Sequence, residues 1–390
     1  MKLRSPTLVG VNLLWLVPGV VGGSEEYIGS SLRALAEHPP ADLAVRLFAL
    51  DAFRDAHADL VEAFPTSTLA LRGRLKSARV AAESTWLAGA ARRARVEVMH
   101  HAGGVVPFGS PRPSVVTIHD IQPLDLPENF STLKRRYLGA MLPRAARQAE
   151  IVAVSSRFVA GTVVERFGLD PARVRVVPPC LTPRAEGAAP ADVAARRGIS
   201  RPYVVYPGIT YPHKNHRVLI DALARFRSPR LELVLAGGEG SEEGALAEAI
   251  DGAGLRDRVH RVGRIPRAEL DALIGASSGL VMPSRYEGFG MPVLEAMAVG
   301  VPVVVADRAS LPEVGGDAVL RLDPDDVGAW ASALAELATG RGPAVRAARS
   351  GKGRSRAASY DPERTAKALA AAYRAAAGRP GDQVNPSDPG

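Results

Sequence analysis

Short β-branched or apolar runs alternate with helix-spaced segments along most of the chain. In the first half, strands are predicted at Leu8–Val17, Leu43–Ala49, Ser67–Leu71, Val96–His100, Ser114–Ile118, Ile151–Val154 and Val174–Val177. Ala-, Leu- and Arg-rich stretches with helical spacing lie between them, among them Glu25–Glu37, Leu133–Gln148 and Arg157–Phe167. Strands alternating with helices read as βαβ units and a parallel sheet. The pattern lapses over residues 180–200, where Pro183, Gly187, Pro190 and a run of small residues mark a linker. It restarts at Tyr203–Tyr206 and continues through Leu231–Ala236, Val259–Val262, Gly279–Met282 and Val301–Val305. Two open α/β layers in series predict a cleft between two domains, with ligands at the C-terminal ends of the strands. The expected division is a first domain at 1–182, a linker at 183–200 and a second domain at 201–360. An Ala-rich helix follows within 361–378, and 379–390 has the Pro, Gly and Asp content of a disordered tail.

Composition narrows this picture. The 390 residues are 46% hydrophobic and 23% charged, which excludes a disordered or collagen-like chain and fits two domains. The single cysteine, Cys180, excludes an intramolecular disulfide framework and a zinc site built on several thiolates, and fits a cytoplasmic location. Net charge is +8, but only six of the 49 basic residues are lysine. Together with the abundant Ala and Gly, this indicates a coding bias, so arginine richness is poor evidence for nucleic acid. The excess is uneven: residues 1–190 carry net +6 and the remainder +2. No stretch has the uninterrupted apolar length of a spanning helix. Lys2 and Arg4 before an apolar run mimic a signal peptide, but Asn12 and Pro18 interrupt the run. A Gly-Gly-Ser turn and an amphipathic segment then follow, as in a strand–turn–helix unit.

The most informative segment runs from Met282 to Gly300. A strand ends in a loop holding Glu287. Gly288 and Gly290 then let the backbone approach a ligand closely, and a helix starts near Met291 with Glu295 one turn inside it. Strand, glycine loop and helix start aim backbone N–H groups and the positive end of a dipole at one point, a site for phosphate or diphosphate. A carboxylate accepts two hydroxyl hydrogens, which suits sugars. Two carboxylates around a phosphate site therefore fit a nucleotide-sugar. For a lone Glu, a helix cap with a surface salt bridge would be the simpler reading.

These residues resemble family 4 of the glycosyltransferases, retaining enzymes of the two-domain GT-B fold. The family's two glutamates, with seven residues between them, match Glu287 and Glu295 in a Glu-Gly-Phe-Gly context, and the likeness extends into residues 311–318. The resemblance implies two Rossmann-like doubly wound domains facing a cleft, with the C-terminal helix crossing back to the first domain. It implies that Glu287 binds hydroxyls of the transferred sugar and Glu295 the nucleotide ribose, with Gly288, Phe289, Gly290 and Met291 lining the donor.

Three further elements join this set. Lys214 follows the Tyr203–Tyr206 strand and Gly208, and opens the next helix; a lysine suits phosphate oxygens, and a cation there stabilises the leaving diphosphate. Lys214 matches a basic residue of the family. Many members carry an arginine five residues earlier, where this chain has Ile209, with His213 or Arg217 in position to compensate. His119 ends the Ser114–Ile118 strand and matches the family histidine beside the reacting sugar; its His-Asp-Ile-Gln-Pro-Leu context resembles a subgroup containing mannosyltransferases. Asp120 either orients His119 or caps the next turn. Gly22 and Gly23 match the family's N-terminal glycine loop, with Ser24 the expected N-cap of the following helix. Arg264 is expected to help seat the base, beside a tight turn at Ala236–Glu239. The strand end at Ser155–Ser156 is assigned to the acceptor side.

Other features read as structural. Met99-His100-His101 lacks spaced partners for a metal, and Asp323-Pro-Asp325 reads as a helix cap, so neither a cofactor nor an essential metal is expected. The basic groups between Arg72 and Arg95, with Lys134, Arg135 and Arg136, read either as solvated helix faces or as a peripheral contact with anionic lipid. The expected activity is retaining transfer of a sugar, mannose from GDP-mannose being the first choice, to a glycan or lipid-linked acceptor, in the cytoplasm or at the inner face of its membrane. The alternatives are a UDP-sugar transferase or an epimerase on the same fold, a non-catalytic partner subunit and, more remotely, a basic nucleic-acid-binding protein.

Overall fold

The structure is a computed structural model that describes residues 5–20, 22–71, 75–181, 190–200, 202–226 and 231–379. By internal contacts the chain divides into two compact units. One runs to Cys180 and takes the chain back from Tyr360; the other spans Leu181–Ser359.

In the first unit the strands are β1 (Thr7–Asn12), β2 (Leu43–Leu50), β3 (Thr66–Leu69), β4 (Val98–His101), β5 (Ser114–Ile118), β6 (Ile151–Val154) and β7 (Val174–Val176). They form one parallel sheet in the order β3-β2-β1-β4-β5-β6-β7. In the second unit β8 (Tyr203–Pro207), β9 (Glu232–Ala236), β10 (Val259–Arg261), β11 (Gly279–Met282), β12 (Val303–Ala306) and β13 (Leu320–Leu322) form a parallel sheet ordered β10-β9-β8-β11-β12-β13. Both orders reverse direction beside their first strand. That makes a topological switch point at β1/β4 and another at β8/β11. Strands such as β6, β8 and β12 are buried at every residue, as parallel strands covered on both faces must be.

Several expected boundaries move. The first strand ends at Asn12 rather than Val17, because Asn12 Oδ1 accepts from the Leu14 N–H and turns the chain. The expected linker at 183–200 falls partly on 182–189, outside the described residues. Its described part is not a linker but a helix, Pro190–Arg196, with Pro at a position where helices tolerate it. That helix packs against the one at Arg267–Ala276 and buries Val193 completely. The expected tail also lies outside the described residues, apart from Arg379.

The C-terminal helix, Pro362–Ala376, returns to the first unit and packs along the helix Gly23–Glu37. Asp361 caps it by accepting from the Arg364 N–H. Tyr373 OH meets His100 Nδ1 at 2.9 Å, and Arg374 makes a two-pronged pair with Asp42. Ala366, Leu369, Ala370 and Tyr373 enter the same core as Val9, Leu32 and Leu47. No helix among the described residues is long and apolar enough to cross a membrane.

Candidate active site

In the second unit, the loops after β8 and β11 are neighbours at the switch point. The first holds a short 3₁₀ turn, Pro212–Lys214, and then Asn215 in the left-handed region at φ 55°. Lys214 therefore does not open the helix as expected; that helix is His216–Arg225. Asn215 Nδ2 donates to the carbonyls of Pro324 at 2.8 Å and Pro283 at 3.3 Å, anchoring the turn across the sheet. Lys214 Nζ lies 2.6 Å from Glu287 Oε1, with both side chains largely buried. The two sequence candidates are thus a single ion pair, formed across 73 residues of chain.

Three contacts that sequence reasoning missed hold this pair in place. Tyr206 OH donates to the Lys214 carbonyl at 2.8 Å and sits 2.7 Å from Ser284 Oγ, joining both loops. The Arg285 N–H donates to the His213 carbonyl at 2.8 Å. Ser310 Oγ lies 2.9 Å from the Glu287 carbonyl and 2.8 Å from that of Phe289, donating to one or the other. No local motif announces Tyr206 or Ser310 as partners of this loop.

Gly290 caps the helix Met291–Ala298 at φ 100°, where a Cβ would also stand 2.8 Å from Leu311. Only glycine fits there without strain. The helix points its positive end at this loop. Inside it, Glu295 is 2% exposed and takes Arg267 NH2 on Oε1 at 2.5 Å. Arg267 starts the helix Arg267–Ala276 and also donates to Asp271. The sequence points to Arg264 and not to Arg267, whose only signal is a basic residue at a helix start, where a cation opposes the dipole.

Arg264 lies over the glycine turn after β9, its guanidinium 3.8 Å from the Cβ position of Gly238. Gly237 admits no side chain, because its Cβ would stand 2.0 Å from the Gly208 carbonyl oxygen. Beside these strand ends is a pocket of about 240 Å³ lined by Gly208, Thr210, Gly237, Glu239, Glu243 and Arg261, among others.

Neither residue offered in place of an arginine at Ile209 supplies a free cation. His213 is buried beside Lys214, and burial first, then that ammonium, pushes its pKa down to about 4. Arg217 is exposed and pairs with Asp221.

In the first unit, His119 stands at the end of β5 and donates from Nε2 to the Ala102 carbonyl at 2.9 Å, beyond the end of β4. Burial lowers its pKa to about 4, so at neutral pH the ring is uncharged and Nδ1 is an acceptor. Tyr27 meets the ring edge-on at 5.3 Å and Trp15 lies at 6.0 Å. Asp120 Oδ1 accepts from the Gln122 N–H, capping the turn. Gly22, at φ 65°, is the N-cap of the helix Gly23–Glu37, displacing Ser24 from that role. The chain's own Glu25 accepts from the Gly19 N–H at 2.8 Å, so the glycine loop already holds a carboxylate.

Ser156 caps the helix Arg157–Phe167. His100 bonds Tyr373 and Thr117, and His101 bonds Ser110. Asp326, rather than Asp323 or Asp325, caps the helix Val327–Thr339. Among the described residues, no group of three or more His, Cys, Asp or Glu is placed to hold a metal ion.

Comparison with known proteins agrees with the fold. Residues 21–183 match the family model described as Glycosyltransferase Family 4, and residues 195–354 match Glycosyl transferases group 1. The chain is 31% identical over 245 residues to O-antigen chain mannosyltransferase B of Escherichia coli, the match covering 59% of this chain and 64% of that protein. It is 32% identical to an MMP alpha-(1->4)-mannosyltransferase of Mycolicibacterium hassiacum, over 53% of this chain and 50% of that one. The matches thus span less than two thirds of these relatives' lengths. Among solved structures, sucrose-phosphate synthase from Thermosynechococcus elongatus superposes with TM-score 0.71 at 21% identity, covering 94% of this chain and 98% of that one. Anabaena Alr3699/HepE in complex with UDP and glucose gives 0.69 at 22% identity, covering 93% and 98%. The solved structures share the fold, and the two family models together span most of the chain: it belongs to family 4 of the glycosyltransferases.

Proposed function

We propose that the chain is a retaining hexosyltransferase that moves mannose from GDP-mannose to a hydroxyl of a glycan, glycolipid or lipid-linked acceptor. The observation that carries this reading is the Lys214–Glu287 pair at the switch point of the second sheet. The bond that breaks joins the anomeric carbon to a phosphate oxygen. The diphosphate leaves with the electron pair and gains negative charge. Lys214 and the start of the helix Met291–Ala298 stabilise that charge. When a donor phosphate takes Lys214, the Glu287 carboxylate is released to accept hydroxyl hydrogens of the sugar. Glu295, paired with Arg267, does the same for the ribose. In the first unit, His119 offers Nδ1 to a hydroxyl. Attack on the face the diphosphate leaves, with a donor phosphate oxygen taking the acceptor proton, retains the anomeric configuration and needs no nucleophilic side chain. The charge falls to Lys214 rather than to a metal, and the lone buried thiol of Cys180 suits the cytoplasm.

The mannosyltransferase names of the relatives support the sugar. The rival donor is a UDP-sugar, such as the UDP-glucose bound in a structural neighbour. The test is product formation from GDP-mannose, UDP-glucose and UDP-N-acetylglucosamine with and without acceptor, with the anomeric configuration read by NMR. Acceptor-dependent use of GDP-mannose with retention, unchanged by EDTA, supports the proposal. Donor turnover without acceptor, inversion, or a requirement for a divalent metal contradicts it.

A further inference from the structure

The pocket at the C-terminal ends of β8, β9 and β10 plays no part in the steps above, yet it has the makings of a built site. Its volume is about 240 Å³. Gly208, Gly237 and Gly263 line it with bare backbone, one from beyond each strand, and buried Leu235 and Leu246 add apolar surface. Its polar side chains are Thr210, Glu239, Glu243 and Arg261. Three of them form a chain. Thr210 Oγ1 donates to Glu243 Oε2 at 2.7 Å, and Arg261 Nη1 donates to Glu243 Oε1 at 2.5 Å. That contact commits one nitrogen of the guanidinium, which has five N–H donors in all. The fourth side chain, Glu239, rides on the turn after β9, and Thr210 clamps that turn. The Gly240 N–H donates to Thr210 Oγ1 at 2.6 Å, the Glu242 N–H to the Thr210 carbonyl at 2.9 Å, and the Thr210 N–H to the Gly238 carbonyl at 3.3 Å. A carboxylate on a clamped turn and a guanidinium held by an ion pair thus line one small cavity with apolar sides.

The pocket lies within reach of the other donor contacts. Gly263 is four residues before Arg267, which holds Glu295, and four residues of chain span at most about 14 Å. Gly208 and Lys214 belong to the same loop after β8. A nucleotide with its phosphates at Lys214 and its ribose at Glu295 therefore brings its base to this cavity. The polar lining selects among bases. Guanine presents two donors side by side, N1–H and the 2-amino group, and beyond them two acceptors, O6 and N7. A carboxylate accepts the pair of donors, and an arginine meets O6 and N7 with two parallel N–H groups. Uracil offers a single N–H flanked by two carbonyls, so a carboxylate there faces an acceptor. Adenine opposes the carboxylate with a ring-nitrogen lone pair and the guanidinium with an amino group.

We propose that this pocket binds the guanine of the donor, with Glu239 accepting from N1–H and the 2-amino group and Arg261 donating to O6 and N7. Glu243 is a positioning residue that acts through Arg261. The assignment rests on the GDP-mannose reading and supplies the residues that tell GDP from UDP.

The experiment is titration calorimetry of the full chain, wild type and variants, with GDP, inosine diphosphate (which lacks the 2-amino group), 7-deaza-GDP (which lacks N7) and UDP. The wild type is expected to bind GDP about tenfold or more tighter than each of the others. Glu239→Ala should erase the preference for GDP over inosine diphosphate and keep that over 7-deaza-GDP. Arg261→Ala should do the reverse, and Glu243→Ala should lower the discrimination at N7 without touching that at the 2-amino group. Glu239 and Arg261 are exposed, so their variants should melt with the wild type. Equal affinity of the wild type for GDP and UDP, discrimination that survives in the variants, or an equal loss for every nucleotide overturns the pocket assignment and leaves the Lys214 site standing. Binding of none of these nucleotides by the wild type overturns both.

Discussion

Lys214 is one of six lysines in the chain and sits between two obligations, a carboxylate at 2.6 Å and the phosphate it is proposed to hold. The motif spacing made Lys214, Glu287 and Glu295 legible, because their chemistry is tied to a local strand–loop–helix pattern. Their partners were not legible. Tyr206, Ser310 and Arg267 reach the site only through the fold, and no short pattern encodes a contact across a sheet. Arg267 illustrates the consequence. It holds an oxygen of buried Glu295 and so positions the carboxylate that is proposed to accept ribose hydroxyls. Arg267→Ala should weaken nucleoside diphosphate binding by about tenfold or more and erase the preference for a ribose over a 2′-deoxyribose analogue. Titration calorimetry with GDP and 2′-deoxy-GDP reads both effects, and equal discrimination in variant and wild type would show that Arg267 does not position Glu295.

Elements were easier to read than their ends. The expected strands form because each is a short β-branched or apolar run buried within a parallel sheet. Their boundaries, and the helix starts near Ser24 and Lys214, depended on backbone turns at Gly22 and Asn215 that the side chains alone did not announce. The C-terminal helix shows what such an element contributes. Its Tyr373 hydroxyl meets a histidine that burial drives down to about pKa 3 and that also contacts Thr117. Tyr373→Phe leaves His100 Nδ1 without that partner in an apolar core, at a cost of about 1–3 kcal/mol. Urea unfolding should show a lower midpoint with the slope unchanged. An unaltered midpoint would mean that the contact contributes nothing to stability. At the switch point, Tyr206→Phe cuts the tie to the Lys214 carbonyl and Ser284, and should raise the KM for donor more than it lowers kcat; an unchanged KM would deny the hydroxyl a positioning role.

At the scale of the whole molecule, both sheets have the order that reverses at the first strand; the alternation of strands and helices predicts parallel α/β layers, and the family resemblance implies their doubly wound form. Strand order itself is written in no segment, since it follows from which runs pair across distant parts of the chain. Both units bury neutral histidines: His100 and His101 near pKa 3, and His119, His213 and His216 near 4, all chiefly through burial. Each sits below the unfolded value of 6.5. Below that value the unfolded chain therefore binds protons that the folded chain refuses. Stability is full above about pH 6.5 and falls as the pH drops towards 4, by about 1.4 kcal/mol per pH unit for each fully buried histidine. The melting temperature should decline between pH 6.5 and 5, before most carboxylates protonate; a flat profile across that window would refute the assignment of neutral buried rings.

The central claim is that Lys214 is the phosphate cation of the donor site and that Glu287 holds it until donor arrives. Titration calorimetry of GDP against wild type, Lys214→Ala and Glu287→Ala tests it most directly. The account predicts that Lys214→Ala loses about a hundredfold or more in affinity, while Glu287→Ala, its lysine released, binds GDP at least as tightly as the wild type. Wild-type affinity in Lys214→Ala, or loss of GDP binding in Glu287→Ala with the fold intact, would contradict it.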